Sequence, residues 1–208
     1  MKNILIHGLG QNSKDWDTIK NELETRGISS VAPDLFDLAK GRKLDYPTVY
    51  QAFSELCESY QDKLNLCGLS LGGLLALNYA IQYPKKINSL VLIGTPFEIP
   101  KGLLKFQNIV FRFMPKAVFQ NMGVSKKDFI RLSKSMVDLN FMDSATALAC
   151  PALILCGAKD KTNMESAKRF HEAMKNSKLV IVEASGHEVN KDNPNELVRV
   201  LQDFWADR

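Results

Sequence analysis

Apolar positions along this chain follow two rhythms. Short, nearly unbroken runs rich in Ile, Leu and Val end in Gly, Pro, Asp or Ala: NILIHG, SSVAPD, KLNLCG, INSLVLIG, ALILCG and KLVIVEA. Runs of this kind suit strands buried on both faces. Between them lie longer stretches with apolar residues three and four apart, which predict helices over about 14–26, 47–61, 71–83, 163–175 and 193–206. WDTIKNELETRG closes on Gly27, and DNPNELVRVLQDFW offers Asp192 or Asn193 as a cap with Pro194 in the first turn.

Strands alternating with helices predict an α/β architecture, a three-layer doubly wound sheet, mostly or fully parallel, of about six strands. With the strands ordered second, first, third, fourth, fifth, sixth, the winding reverses between the first and the third. Ligand crevices open beyond the carboxyl ends of the strands at such a point. The alternation fails between Thr95 and about Thr146, where apolar and basic pieces such as GLLKFQNIVFRFMPKAVF suit three or four short helices. An insertion of this length between two strands is expected to serve the site as a lid. The chain therefore divides into a core, 1–96 and 147–208, and a helical lid or cap, 97–146, inserted after the fourth strand.

Composition narrows the class. At 208 residues, 45% hydrophobic and 24% charged, the chain suits a single globular domain. It shows neither a leader-like start nor the run of roughly 18 apolar residues that a membrane span needs, so the expectation is a cytoplasmic protein with no stable membrane insertion. Cys57, Cys67, Cys150 and Cys156 form no C-x-x-C pair and read as buried reduced thiols. His7, His171 and His187 are far apart and lack neighbouring cysteines, so neither a metal nor another cofactor is expected. The formal charge of +4 resides in the lid, where eight basic residues face four acidic ones. That excess suits either a basic rim for an anionic substrate, acidic carrier protein or lipid surface, or simply the solvated face of amphipathic helices. No nucleic-acid-binding motif accompanies it, and no nucleic-acid partner is expected. Oligomeric state is left open.

Candidate chemistry concentrates in LNLCGLSLGGLLALNYA, from Leu64. Ser70 stands where a strand pattern gives way to a helix pattern, flanked by Gly68, Gly72 and Gly73. G-x-S-x-G at such a corner is a nucleophile elbow: the tight turn exposes the serine hydroxyl and leaves no room for neighbouring side chains. A serine hydroxyl needs a base, and the base an orienting acid. His187 follows the KLVIVEA strand in SGH and is the candidate base, whereas His171 lies within the helical run SAKRFHEAM. Asp160, in GAKD after the ALILCG strand, is the favoured acid; Glu98, after the fourth strand, is its rival, and helix capping is the plain alternative role for Asp160. The first strand ends in His7-Gly8-Leu9-Gly10, a glycine-rich turn that should face Ser70 across the crevice. The backbone N–H groups of Leu9 and Leu71 are the candidate oxyanion donors.

HGLGQN followed by Trp16, GLSLGG, GAKD and SGHE, in that order, resemble the α/β-hydrolase superfamily from end to end apart from the lid. The resemblance implies a triad of Ser70, Asp160 and His187, oxyanion amides at Leu9 and Leu71, and no cofactor. It places the start of this chain at the third strand of the usual fold, which makes this a compact variant. A serine rather than an aspartate nucleophile points to acyl transfer, and the expected activity is cleavage of a small carboxylic ester or thioester, with an anionic or carrier-linked substrate as one form. A same-fold lyase or acyltransferase, and a non-catalytic ligand receptor, are the alternatives.

Overall fold

The computed structural model describes residues 1–96, 111 and 114–206. Six strands form its sheet: β1 (Lys2–Ile6), β2 (Ser30–Val31), β3 (Leu64–Leu69), β4 (Ile87–Ile93), β5 (Ala152–Gly157) and β6 (Ser177–Val182). Their order is β2-β1-β3-β4-β5-β6, and every pair is parallel. The reversal of winding between β1 and β3 falls where the sequence pattern puts it.

Alternate residues of each strand feed separate cores on the two faces, as the twofold repeat of strand side chains requires. Ile4, Ile6, Leu66, Leu92 and Ile154 pack on one face with helices α3 (Tyr46–Glu58), α4 (Leu71–Gln82) and α8 (Lys161–Ala173). Leu5, Cys67, Val91, Ile93 and Leu155 pack on the other with α1 (Asp17–Thr25) and α10 (Pro194–Ala206). At the amino ends of the strands a polar ladder pins the register. Asn65 donates to Asn3 Oδ1 at 2.8 Å, while Asn88 Nδ2 and Ser89 Oγ donate to Asn65 Oδ1 at 2.8 and 2.6 Å. Slipping one strand by a residue would leave these amides unpaired as well as exposing apolar side chains.

The helices start where capping chemistry allows. Asp45 caps α3 ahead of Pro47, and Asn193 Oδ1 accepts the Glu196 N–H at 3.4 Å at the start of α10. Asp192, the other capping candidate, instead accepts the Gly186 N–H at 2.7 Å and ties down the preceding loop. Three details depart from the sequence reading. The second strand is only two residues long, because Asp34 caps a short helix, α2 (Leu35–Leu38), in the PDLFDL segment. The helix expected from residue 14 begins as a 3-10 turn, Ser13–Trp16, before α1. A further turn, α9 (Val189–Asp192), precedes α10.

Between β4 and β5 the described part of the insertion is helical: α5 (Lys116–Asn121), α6 (Lys126–Ser135) and α7 (Met142–Ala145). Phe129 packs edge-on against Phe111 and Phe119, with ring centroids 5.0 and 5.1 Å apart. Ser135 Oγ accepts the Tyr46 N–H at 2.7 Å and joins α6 to α3. The expected lid residues 97–110, 112 and 113, Glu98 among them, lie outside the described residues. Of the described basic residues, Arg131 pairs with Asp128 at 2.7 Å and Lys126 Nζ donates to the Met114 carbonyl, while Lys127 and Lys134 are exposed. The four cysteines are unpaired; Cys150 is half-buried rather than buried. No described helix is long and apolar enough to cross a membrane.

Candidate active site

Strand β3 turns into α4 at Ser70, whose φ of 52° and ψ of −109° lie where non-glycine residues are strained. The turn is this sharp because the backbone around it is crowded. A Cβ on Gly68 would sit 2.3 Å from the Gly72 carbonyl, and one on Gly72 would sit 2.2 Å from the Ile6 carbonyl oxygen. One on Gly73 would sit 1.9 Å from Thr95 Oγ1. Hydrogen bonds hold the strained residue: the Ser70 N–H donates to the Ile93 carbonyl at 2.9 Å, and its own carbonyl accepts from Leu74 at 3.0 Å. Ser70 occupies the N-cap position, yet its side chain makes no capping hydrogen bond. The half-buried hydroxyl is left for other work.

Asp160 and His187 follow β5 and β6, which are neighbours in the sheet. Asp160 is the buried N-cap of α8, immediately beyond β5, and His187 lies in the loop beyond β6. The two loops are stitched together: the Lys159 N–H donates to the Ser185 carbonyl at 2.8 Å, and Gly157 admits the Gly186 carbonyl so closely that a Cβ would be 2.1 Å from it. His187 Nδ1 then meets Asp160 Oδ2 at 2.7 Å. Asp160 also caps its helix, with Oδ1 accepting the Asn163 N–H at 3.3 Å, so the capping role and the orienting geometry coexist on different oxygens. Burial alone would raise the Asp160 pKa. Hydrogen bonds from His187 and Asn163 outweigh burial and hold it below the ordinary carboxylate value. The carboxylate is thereby kept charged beside the imidazole.

Gly94 links this pair to Ser70. It follows Ile93, the acceptor of the Ser70 N–H, and a Cβ there would be 2.9 Å from His187 Nδ1 and 3.3 Å from Asp160 Oδ2. Serine, histidine and aspartate thus gather at the carboxyl ends of β3 to β6.

On the other side of Ser70 runs the turn after β1. A Cβ on Gly8 would be 3.5 Å from Ser70 Cβ, which puts the turn directly against the serine. Gly10 takes φ of 97°, a conformation that favours glycine. Leu9 lies between them, and its N–H makes no hydrogen bond among the described residues. Leu71, as the first residue of α4, has no intrahelical acceptor for its N–H. His7 is fully buried and structural: its Nδ1–H donates to the Gly8 carbonyl at 3.0 Å and its Nε2 accepts the Leu35 N–H at 2.9 Å. That pairing defines a neutral ring and anchors the turn to the segment after β2. Above it hangs the insertion, with Met122 Cε 3.8 Å from where a Gly10 Cβ would be.

His171 bonds Ser177 at the surface and takes no part. Two side chains escaped the sequence reading. Asn163 donates from Nδ2 to both Asp160 oxygens, at 3.0 and 2.8 Å, and its position three residues after the cap was the available signal. Gln11 is buried beneath the glycine turn and bonds the loop that carries His187. Among the described residues no three His, Cys, Asp or Glu side chains gather as a metal site.

A parallel sheet with a strained serine elbow after its third strand and an acid–histidine pair beyond the last two strands is the arrangement of a hydrolase-type α/β protein. The sequence model described as alpha/beta hydrolase fold matches residues 4–139, more than half the chain, and the chain belongs to that family. It is 27% identical to Lipase 3 of Moraxella sp. (strain TA144), over 93% of this chain and 75% of that protein. Among solved structures, a carboxylesterase study of the thaumarchaeon Nitrososphaera gargenis gives a TM-score of 0.86 at 19% identity, covering 99% of this chain and 90% of the other. A thermophilic esterase from Thermogutta terrifontis gives 0.82 at 18% identity, covering 100% and 90%.

Proposed function

We propose that this chain is a serine hydrolase that cleaves a small carboxylic ester or thioester. The observation that carries the reading is the 2.7 Å bond between His187 Nδ1 and the buried Asp160 carboxylate, beside a serine elbow whose hydroxyl does not cap its helix. The esterase and lipase names of its relatives support the ester class.

In this reading Ser70 Oγ attacks the carbonyl carbon while its proton passes to His187 Nε2. Asp160 accepts the hydrogen bond from Nδ1–H, fixing the tautomer and stabilising the imidazolium. The carbonyl π pair moves onto oxygen, and the Leu9 and Leu71 N–H groups hold that oxyanion. As the tetrahedral intermediate collapses, the bond to the alkoxide or thiolate breaks and His187 delivers its proton to that leaving group. Water then attacks the acyl-enzyme, giving a proton to Nε2, and Ser70 Oγ recovers it as the acid departs. The insertion, 97–146, acts as a lid over this site, with the remainder of the chain as the catalytic core.

Hydrolysis of p-nitrophenyl esters from acetate to dodecanoate by the wild type and Ser70→Ala tests the reading. Wild-type turnover that falls by at least about 10⁴-fold in the variant is expected. Equal rates in the two proteins would sink it.

A further inference from the structure

Gln11 has no part in the chemistry above, yet its side chain makes four hydrogen bonds, as many as the Asp160 carboxylate. It is 1% exposed, beneath the glycine turn. Its Nε2 donates to Glu188 Oε1 and to Asn190 Oδ1, both at 3.1 Å. Its Oε1 accepts the Gly8 N–H and Asn190 Nδ2, both at 3.4 Å. Two donors and two lone pairs are thus all used. Asn190, 2% exposed, also donates to the Asp15 carbonyl at 3.1 Å. Lys191 closes the outside, 2.9 Å from Asp15 and 3.5 Å from Glu188.

The sequence neighbours of these partners give the network its meaning. Gly8 precedes Leu9, the proposed oxyanion donor, and Glu188 follows His187. In the sheet these two loops leave β1 and β6, with three strands between them. One buried amide joins them directly. We propose that Gln11, with Glu188 and Asn190, forms a clasp that fixes the distance between the oxyanion donor and the imidazole, which makes Gln11 a positioning residue. The inference rests on the serine-hydrolase reading of the site. Misplacing reacting groups by an ångström costs on the order of 100-fold in rate, so loosening the clasp acts on kcat more than on ester binding.

Steady-state kinetics on p-nitrophenyl butyrate, with fluorophosphonate labelling and thermal unfolding of each protein, test the clasp. Gln11→Glu removes both donors and sets a carboxylate against Glu188. It is expected to lower kcat roughly 10- to 100-fold with KM within about threefold. Adding Glu188→Gln reverses the direction of the bond to position 188 and keeps the net charge of the wild type, though the bond to Asn190 Oδ1 stays lost; it is expected to restore kcat at least about threefold over Gln11→Glu. A Gln11→Glu enzyme with wild-type kcat, a loss confined to KM, or a loss that Glu188→Gln leaves in place overturns the clasp. If Gln11→Glu does not fold, the neutral Gln11→Met takes its place: the same fall in kcat is expected, and an unchanged kcat overturns the proposal. A wild type that neither turns over esters nor labels refutes the hydrolase reading itself, and the clasp falls with it; an active wild type with an indifferent Gln11 overturns the clasp alone.

Discussion

Single residues carry two jobs at several points of this site. Asp160 caps α8 through Oδ1 and holds His187 through Oδ2. Asn caps a helix about as well as Asp, so Asp160→Asn should keep the thermal midpoint within a few degrees. The neutral amide cannot hold the imidazole in the required tautomer, and kcat should fall on the order of 10⁴-fold. Ester kinetics beside a melting curve check both halves, and a parallel loss of stability and rate would point to capping alone. His7 offers a pH test. Burial lowers its pKa from the ordinary value near 6.5, against smaller opposing effects of the Gly8 carbonyl, Asp34 and Asp15. The unfolded chain then binds more protons than the folded one as pH falls below about 6.5. Stability from this group is complete above that value and is lost as pH falls through the folded pKa. Urea unfolding between pH 7 and 5 should therefore weaken more steeply in the wild type than in His7→Gln, which retains a donor and an acceptor but does not titrate; equal slopes would contradict this account of His7. The elbow was legible from sequence because its constraint is local and steric, carried by Gly68, Gly72 and Gly73. Gln11 was not legible, since its partner Glu188 lies 177 residues away and only the fold brings them together.

At the level of elements, the positions of the strands and their parallel character were legible because a parallel sheet buried on both faces writes continuous apolar runs into the chain. The PDLFDL segment after the second strand carries no such signal. Its apolar residues are too few to set a period, and the Asp34 side chain, accepting the Phe36 and Asp37 N–H groups, decides in favour of a helical turn. The insertion showed its helical character in sequence, but not which side chain would reach the site. The structure brings Met122 against Gly10. If this part of the insertion borders the acyl group, Met122→Trp should lower kcat/KM for the dodecanoate at least about tenfold relative to the acetate. Met122→Ala should shift the ratio the other way, within the roughly 10- to 200-fold that a methylene-scale change in an apolar pocket can give. A chain-length profile unchanged in both variants would remove Met122 from the pocket.

For the molecule as a whole, the proposed function depends on three strand ends that the topology brings together: Ser70 after β3, Asp160 after β5 and His187 after β6. Motifs at strand ends supplied the candidates; the stitching of the 157–160 loop to the 184–187 loop, through the Ser185 carbonyl, sets the geometry of Asp160 and His187. The most direct test is to treat the folded protein with a fluorophosphonate and map the adduct by peptide mass spectrometry. The account predicts one adduct, on Ser70, formed at least about 100-fold more slowly in Asp160→Asn and absent in Ser70→Ala. Absence of labelling in the wild type, or an adduct on another residue that survives Ser70→Ala, would contradict it.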